Sequence, residues 1–232
     1  GYAGTGKTTM VKVIADYIKQ SRQLVMMAPT GRAARVLAMK TGHEAVTIHK
    51  AIYARAHVEH KKVKDVADSE FKLVFPINQS ENGGNIVAIV DEASMLCSRK
   101  IEHELFMFGT DNLMEDLLTF VRPNFGGKVI FVGDPAQLPP VGEPVSNALR
   151  AEYFQEQGLK VIEAELTEVL RQKSDSVILK NAMMIRDLLK KDKRNQLVFE
   201  EQKDDVEMVP SEQFLDKYLK YRKESGRHDS VI

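Results

Sequence analysis

The chain has one cysteine in 232 residues (Cys97), no apolar run longer than a strand, no low-complexity tract and no surplus of either charge. Each shortage excludes something. A lone thiol can form neither an intramolecular disulfide nor a cysteine zinc cluster, which fits a reducing cytoplasm. Apolar runs of strand length leave no membrane span. Lysine plus arginine equals aspartate plus glutamate at 33 each, so binding to a polyanion must come from a local groove rather than from the whole surface. What remains is an ordinary globular composition, 43% hydrophobic and 28% charged. That is enough for one large domain, or one domain and part of another.

The first eight residues, Gly1-Tyr2-Ala3-Gly4-Thr5-Gly6-Lys7-Thr8, fit G-x-x-x-x-G-K-[ST] at every fixed position. In such a loop the glycines let successive backbone N–H groups turn into one anion cradle. The lysine reaches the β- and γ-phosphates and the Thr8 hydroxyl coordinates Mg²⁺. The apolar helical pattern of Met10, Val11, Ile14 and Ile18 begins at once, and the positive end of that helix lies under the phosphates. A phosphate loop ordinarily joins a buried strand to a helix. Gly1 opens this chain with no initiator Met, so it reads as a piece of a protein that extends upstream. Residues 229–232, which look like a strand just beginning, suggest the same at the other end.

Helix and strand signals alternate along the chain. Helices are expected over 8–19 and 31–40, the latter ended by Gly42, with a strand between them at 24–28. Residues 85–91 form a β-branched run without polar alternation, the mark of a strand buried on both faces. A helical spacing broken near Gly109 covers 98–121. Further strands are expected at 128–133 and 160–166, and helices at 176–191 and 211–223. This pattern predicts an α/β fold, a parallel sheet with helices on both faces. The polar stretch 53–84, with a β-like run at 71–75, reads as an insertion standing out from the sheet.

Two strand ends carry candidate chemistry. The run ending at Val90 leads into Asp91-Glu92-Ala93-Ser94, and the next into Gly133-Asp134-Pro135-Ala136-Gln137-Leu138-Pro139-Pro140-Val141. Carboxyl ends of parallel strands are where open α/β sheets bind ligands. There Asp91 suits a metal ion, Glu92 suits a base acting on water, and the Gln137 amide, between rigid Gly and Pro residues, suits a sensor of phosphate or water.

With these, the ordered set Ala28-Pro29-Thr30-Gly31-Arg32-Ala33-Ala34, Thr47-Ile48-His49, Asp91-Glu92-Ala93-Ser94-Met95, Gly133-Asp134-x-x-Gln137-Leu138-Pro139-Pro140-Val141 and Leu166-Thr167-Glu168-Val169-Leu170-Arg171-Gln172 closely resembles superfamily 1 helicases. It is most similar to the 5′→3′ RecD-type branch, which includes the RecD subunit of exonuclease V, active in DNA repair and recombination, and the helicase part of TraA relaxases. The resemblance covers about residues 1–172 and implies a RecA-like ATP-binding domain at 1–52 and 85–175. It also implies a small inserted accessory domain at 53–84, with Phe71 and Phe75 on a duplex-splitting pin, and a connection at 176–232 into an incomplete second RecA-like domain. Gly1, Gly4, Thr5, Gly6, Lys7, Thr8 and Thr9 would hold ATP, with Mg²⁺ on Thr8 and Asp91. Glu92, Gln137 and the arginine finger Arg171 would be catalytic.

Pro29, Thr30, Gly31, Thr47 and His49, in loops after their strands, would contact single-stranded DNA, where small and hydroxylic groups suit a phosphate backbone. His49 fits a structural histidine equally well, and Arg32 and Arg35 fit a solvated helix face better than a basic groove. The adenine-contacting segment and the later motifs of a second domain lie outside this sequence, so the chain by itself is expected not to unwind DNA. An RNA-directed helicase and a non-catalytic nucleotide-dependent subunit are the competing readings. Attached nuclease or relaxase domains and protein partners are compatible with all three.

Overall fold

The computed structural model describes residues 5–55, 57–61, 70–78, 85–121, 125–166, 176–191, 196–202 and 206–225. Two compact units divide the chain, Gly1–Arg171 and Gln172–Ile232. In the first, α1 (Lys7–Ile18), β1 (Gln23–Ala28), α2 (Gly31–Thr41), β2 (Ala45–Thr47) and α3 (Ile48–Ile52) lead to β3 (His57–Lys61) and β4 (Glu70–Phe75). Then follow β5 (Ile86–Val90), β6 (Phe106–Phe108), α4 (Leu113–Val121), β7 (Lys128–Phe131) and α5 (Ala151–Gln155). Strands β2, β1, β5 and β7 form one sheet in that order, parallel throughout.

Every residue of β5 is buried, and the two faces of the strand serve two cores. Val87 and Ile89 pack with Met26 of β1 and with Val11, Ala15 and Ile18 of α1 and Leu37 of α2. Ile86, Ala88 and Val90 pack with Met27 of β1, Ile48 and Ile52 of α3, and Met114, Leu117, Phe120 and Val121 of α4. A strand covered on both sides needs no polar alternation, which is why the run is continuously apolar. The expected α/β architecture, with a parallel sheet between two helical layers, is the one observed. Gly42 ends α2 in the left-handed conformation, at φ 76°.

A second sheet, in the order β3-β4-β6, stands beside the first. Strands β3 and β4 are antiparallel. Strand β6 joins β4 in parallel, pairing Leu73 with Phe106 and Phe75 with Phe108. Here the structure corrects the helical reading of 98–121, whose first part is an irregular segment and a strand and whose helix begins only at Leu113. The reason is tertiary, because three residues gain a ladder from a strand thirty residues earlier. The strand expected at 160–166 is also absent from its place, the segment being irregular. An apolar run becomes a strand only beside a neighbour that completes its ladder. Among the described residues β7 pairs with β5 alone.

Asp116 holds the two sheets' supports together. It sits on the inward stripe of α4, fully buried. It accepts hydrogen bonds from Tyr53 Oη at 2.6 Å, Thr110 Oγ1 at 2.8 Å and Thr110 N at 3.0 Å. Burial first, then this carboxylate's bond and charge, push the Tyr53 phenol far above its ordinary pKa. The Tyr53 ring lies 5.3 Å from Phe108, which stacks on Phe75 at 4.6 Å. The end of α3 is thereby fixed to α4 and to the small sheet.

The second unit contains α6 (Val177–Lys190) and α7 (Ser211–Ser225), with an isolated antiparallel bridge between Gln202 and Val206 among the described residues that separate them. Asn181 of α6 donates to Glu200 O at 2.9 Å and accepts from Glu200 N at 2.8 Å. A strand at 229–232 lies outside the described residues.

Candidate nucleotide and nucleic-acid site

The first turn of α1 follows Gly6, whose φ is 81°, and carries no acidic side chain and no side-chain cap. The positive end of the helix is thus not compensated by a carboxylate of its own, the arrangement that favours an anion. Thr5 is buried, Lys7 and Thr8 are half-buried, and Thr9 is exposed. Gly1 and Gly4 lie outside the described residues.

Strand β5 delivers Asp91 and Glu92 at its carboxyl end. The backbone fixes both: Asp91 N donates to Met27 O at 2.9 Å, Val132 N to Val90 O at 2.8 Å, and Ala93 N to Val132 O at 2.9 Å. Between these anchors Glu92 takes a left-handed conformation, φ 53° and ψ 37°. A non-glycine residue there is uncommon and costs of order 1 kcal/mol or more, and such strain clusters at functional positions. Burial, opposed by a backbone hydrogen bond and by the charges of Lys7 and Lys40, raises the Asp91 pKa. Burial also raises Glu92, helped by the charges of Asp91 and of Asp134 and opposed by Lys7 and Lys40. The lysine of the phosphate loop therefore acts on both carboxylates, and Glu92 is the stronger base for its surroundings. The donor set of Thr8, Asp91 and water suits Mg²⁺, which takes one or two protein oxygens and completes its shell with phosphate and water.

The loop after β7 contributes Gln137. Ser94, fully buried beneath Glu92's turn, donates through Oγ to Gln137 Oε1 at 3.4 Å, and a Cβ on Gly133 would come within 3.2 Å of Ser94 N. The structure thus brings Lys7, Asp91, Glu92 and Gln137 to one sheet edge. Arg171 lies outside the described residues. Sequence reasoning gives no role to Asp134, which is fully buried and whose charge reaches Glu92. Its position three residues after β7, two residues before an N–H that its carboxylate binds, is the signal.

The second group of candidates sits on adjacent strands. Ala28 at the end of β1 pairs with Thr47 at the end of β2, so segments 29–31 and 47–49 emerge side by side. Neither Thr47 nor His49 is in a plain loop, contrary to the sequence expectation. Thr47 closes β2 and caps α3, accepting from Lys50 N at 3.2 Å, and His49 is in that helix's first turn. Thr30 caps α2 in the same way, accepting from Ala33 N at 3.2 Å. Each cap uses a lone pair of the hydroxyl oxygen and leaves its O–H able to donate. Pro29 is half-buried and Gly31 exposed. His49 is exposed, and its ring packs 5.6 Å from Tyr53 and 5.4 Å, T-shaped, from Phe108. Partial burial among these rings and the nearby His103 hold its pKa below the ordinary imidazole value, which favours the uncharged ring.

Residues 1–210 match the AAA domain family. Over 143 residues the chain is 34% identical to the ATP-dependent RecD2 DNA helicase of Deinococcus radiodurans, the alignment covering 61% of this chain and 16% of that protein. It is 29% identical over 173 residues to the ATP-dependent DNA helicase dda of Enterobacteria phage T4, covering 74% of this chain and 34% of that protein. With the uncharacterized protein MJ1519 of Methanocaldococcus jannaschii it shares 33% identity over 148 residues, or 61% and 11% of the two chains. The chain therefore spans well under two thirds of the length of these relatives. Two of the three are helicases, as the ordered motifs imply.

Proposed function

The chain belongs to the AAA domain family, and from that premise we propose that it is the ATP-hydrolysing motor domain of a RecD-type DNA helicase. In this reading ATP hydrolysis drives translocation on single-stranded DNA and duplex unwinding. What carries it is the electrostatic convergence at the sheet edge, where Lys7 acts on both Asp91 and Glu92 and Gln137 is bonded to the turn that bears Glu92.

The residues divide the work. Thr5, Gly6, Lys7, Thr8 and Thr9, with Gly1 and Gly4, bind the phosphates. Thr8 and Asp91 hold Mg²⁺, which when bound offsets phosphate charge. Glu92 takes the proton of the attacking water, and Gln137 orients that water or the γ-phosphate. Arg171 serves as the arginine finger. Pro29, Thr30, Gly31, Thr47 and His49 hold the DNA strand through backbone, hydroxyl and ring contacts that read no sequence. Residues 53–84 act as the pin-bearing accessory segment. The RecD-type likeness alone supports placement with exonuclease V-like enzymes of DNA repair and recombination in the cytoplasm, assembled with further domains or partners.

The test is ATP hydrolysis by the full-length protein with and without single-stranded DNA. Glu92→Gln is expected to lower the stimulated rate about 10²- to 10⁴-fold while nucleotide binding persists. Stimulation by RNA in place of DNA would turn the reading to an RNA-directed motor, and an unchanged rate in Glu92→Gln to a non-catalytic subunit.

A further inference from the structure

Gln137 stands on an irregular loop and its exposed amide takes part in one long bond, 3.4 Å from Ser94 Oγ. A side chain held so lightly is placed by the anchors of its loop. At the near end Asp134 is buried and accepts from Ala136 N through its carboxylate and from Gln137 N through its carbonyl, each at 3.0 Å. At the far end stands Glu143. Its Oε1 accepts from Ser98 N at 2.7 Å and from Cys97 Sγ at 2.9 Å, and its Oε2 accepts from Ser98 Oγ at 2.9 Å. Cys97 and Ser98 lie directly beyond the single turn, Ala93–Met95, that starts at Glu92. One carboxylate therefore joins the two loops that carry Glu92 and Gln137.

The base of this staple is itself fixed. Asn147 Nδ2 donates to Ser98 Oγ at 2.8 Å and Asn112 Nδ2 to Ser98 O at 3.0 Å. Glu143 N donates to Pro140 O at 3.0 Å, closing the turn above it. Gly142 approaches Arg99 so closely that a Cβ would lie 2.0 Å from Nη2. Partial burial would raise the Glu143 pKa, but the bonds from Cys97, from Ser98 and from the Arg99 backbone outweigh it and hold it below the ordinary carboxylate range. The staple is charged at neutral pH, and hydrogen bonds to an ionised acceptor are the stronger kind.

We propose that Glu143 is a positioning residue of the hydrolytic site, holding the Gln137 loop in register with Glu92 by gripping Cys97 and Ser98. This rests on the roles given above to Glu92 and Gln137. Enzyme geometry is unforgiving at this level, since a displacement of about 1 Å caused from a distance can cost about 10²-fold in rate.

The chain contains no tryptophan, so Leu138→Trp, at a side chain 85% exposed, places a single fluorophore on the loop. In that background Glu143→Ala is expected to lower the anisotropy of the indole, Glu143→Gln to restore most of it, and Ser98→Ala to give a smaller loss, all at unchanged helical circular dichroism. In the full-length protein without the tryptophan, Glu143→Ala is expected to lower kcat for DNA-stimulated ATP hydrolysis about 10- to 100-fold with KM for ATP within about threefold. The double variant with Gln137→Ala should be no slower than Gln137→Ala alone, because both act through one group. Unchanged anisotropy in both Glu143→Ala and Ser98→Ala overturns the inference whether or not the chain hydrolyses ATP. So do additive losses in the double variant. A full-length protein without ATPase activity, together with anisotropy that still falls on Glu143→Ala in the chain, supports the staple and sinks the hydrolytic reading instead.

Discussion

Replacing Asp116 by alanine tests how the end of α3 is held to α4. The carboxylate is fully buried and takes three donors, from the Tyr53 hydroxyl, the Thr110 hydroxyl and the Thr110 N–H. Thr110 is exposed, so its two groups can turn to water when the acceptor is removed. Tyr53 is only 9% exposed, and its hydroxyl is left without a partner. An unsatisfied buried hydroxyl costs about 1–3 kcal/mol, and a lost bond to a charged acceptor about 1.5–3 kcal/mol. Relief from burying a charge offsets part of this. The expected loss for Asp116→Ala is about 2–4 kcal/mol. Tyr53→Phe removes one donor and leaves the carboxylate its bonds to Thr110, so about 1.5–3 kcal/mol is expected. Because both changes delete the same contact, the double variant should fall short of the sum by about 1 kcal/mol or more. Urea denaturation followed by circular dichroism measures all three. A loss under about 1 kcal/mol in Asp116→Ala, or strict additivity, would refute the claim that this carboxylate fastens α3 to α4.

Three further outcomes are expected. Burial, then Asp91 and Asp134, raise the Glu92 pKa; in its proposed role as base it must be ionised, so DNA-stimulated hydrolysis should decline as pH falls through a value above the ordinary glutamate pKa. Asp134→Asn, which removes one of the raising charges, should move that acid limb downward in a pH–rate profile. The lowered His49 pKa favours the uncharged ring, so in the proposed DNA-contact role its contribution to affinity should come from ring contact. His49→Ala should weaken single-strand binding by about 1–3 kcal/mol without altering the salt slope. A slope reduced by about one unit would mean that the ring binds phosphate as a cation.

Parts of this molecule were legible in the sequence for physical reasons. Ile86–Val90 is unbroken by polar residues because both its faces meet helices, so its burial could be read from composition alone. Glu92 stood out because it follows this strand closely, and Gln137 because it lies in a Gly- and Pro-bounded loop after the next one, β7. Strand β6 was not legible, since Phe106-Met107-Phe108 becomes a strand only by pairing with Leu73–Phe75, far away in the chain. Helix α3 is five residues long, too short for a periodic signal. Asp116 follows Glu115 and looks like one of two solvated acids, yet it lies on the helical stripe of Leu113, Leu117 and Phe120, and that placement was the available clue. Glu143 and Ser98 belong to no motif. Their importance exists only where two loops meet.

The parallel pairing of β6 with β4 also bears on how this protein could be cut or rearranged. The hairpin of β3 and β4 is encoded as one stretch, but its outer strand is borrowed from beyond the carboxylates of the sheet edge. Excising residues 53–84 would orphan Phe106–Phe108 along with the ring stack on Phe75, and transplanting the hairpin elsewhere would leave β4 with a bare flank. The appendage and its host are sewn together at two separate places along the chain, so neither can be exchanged as a module without the other.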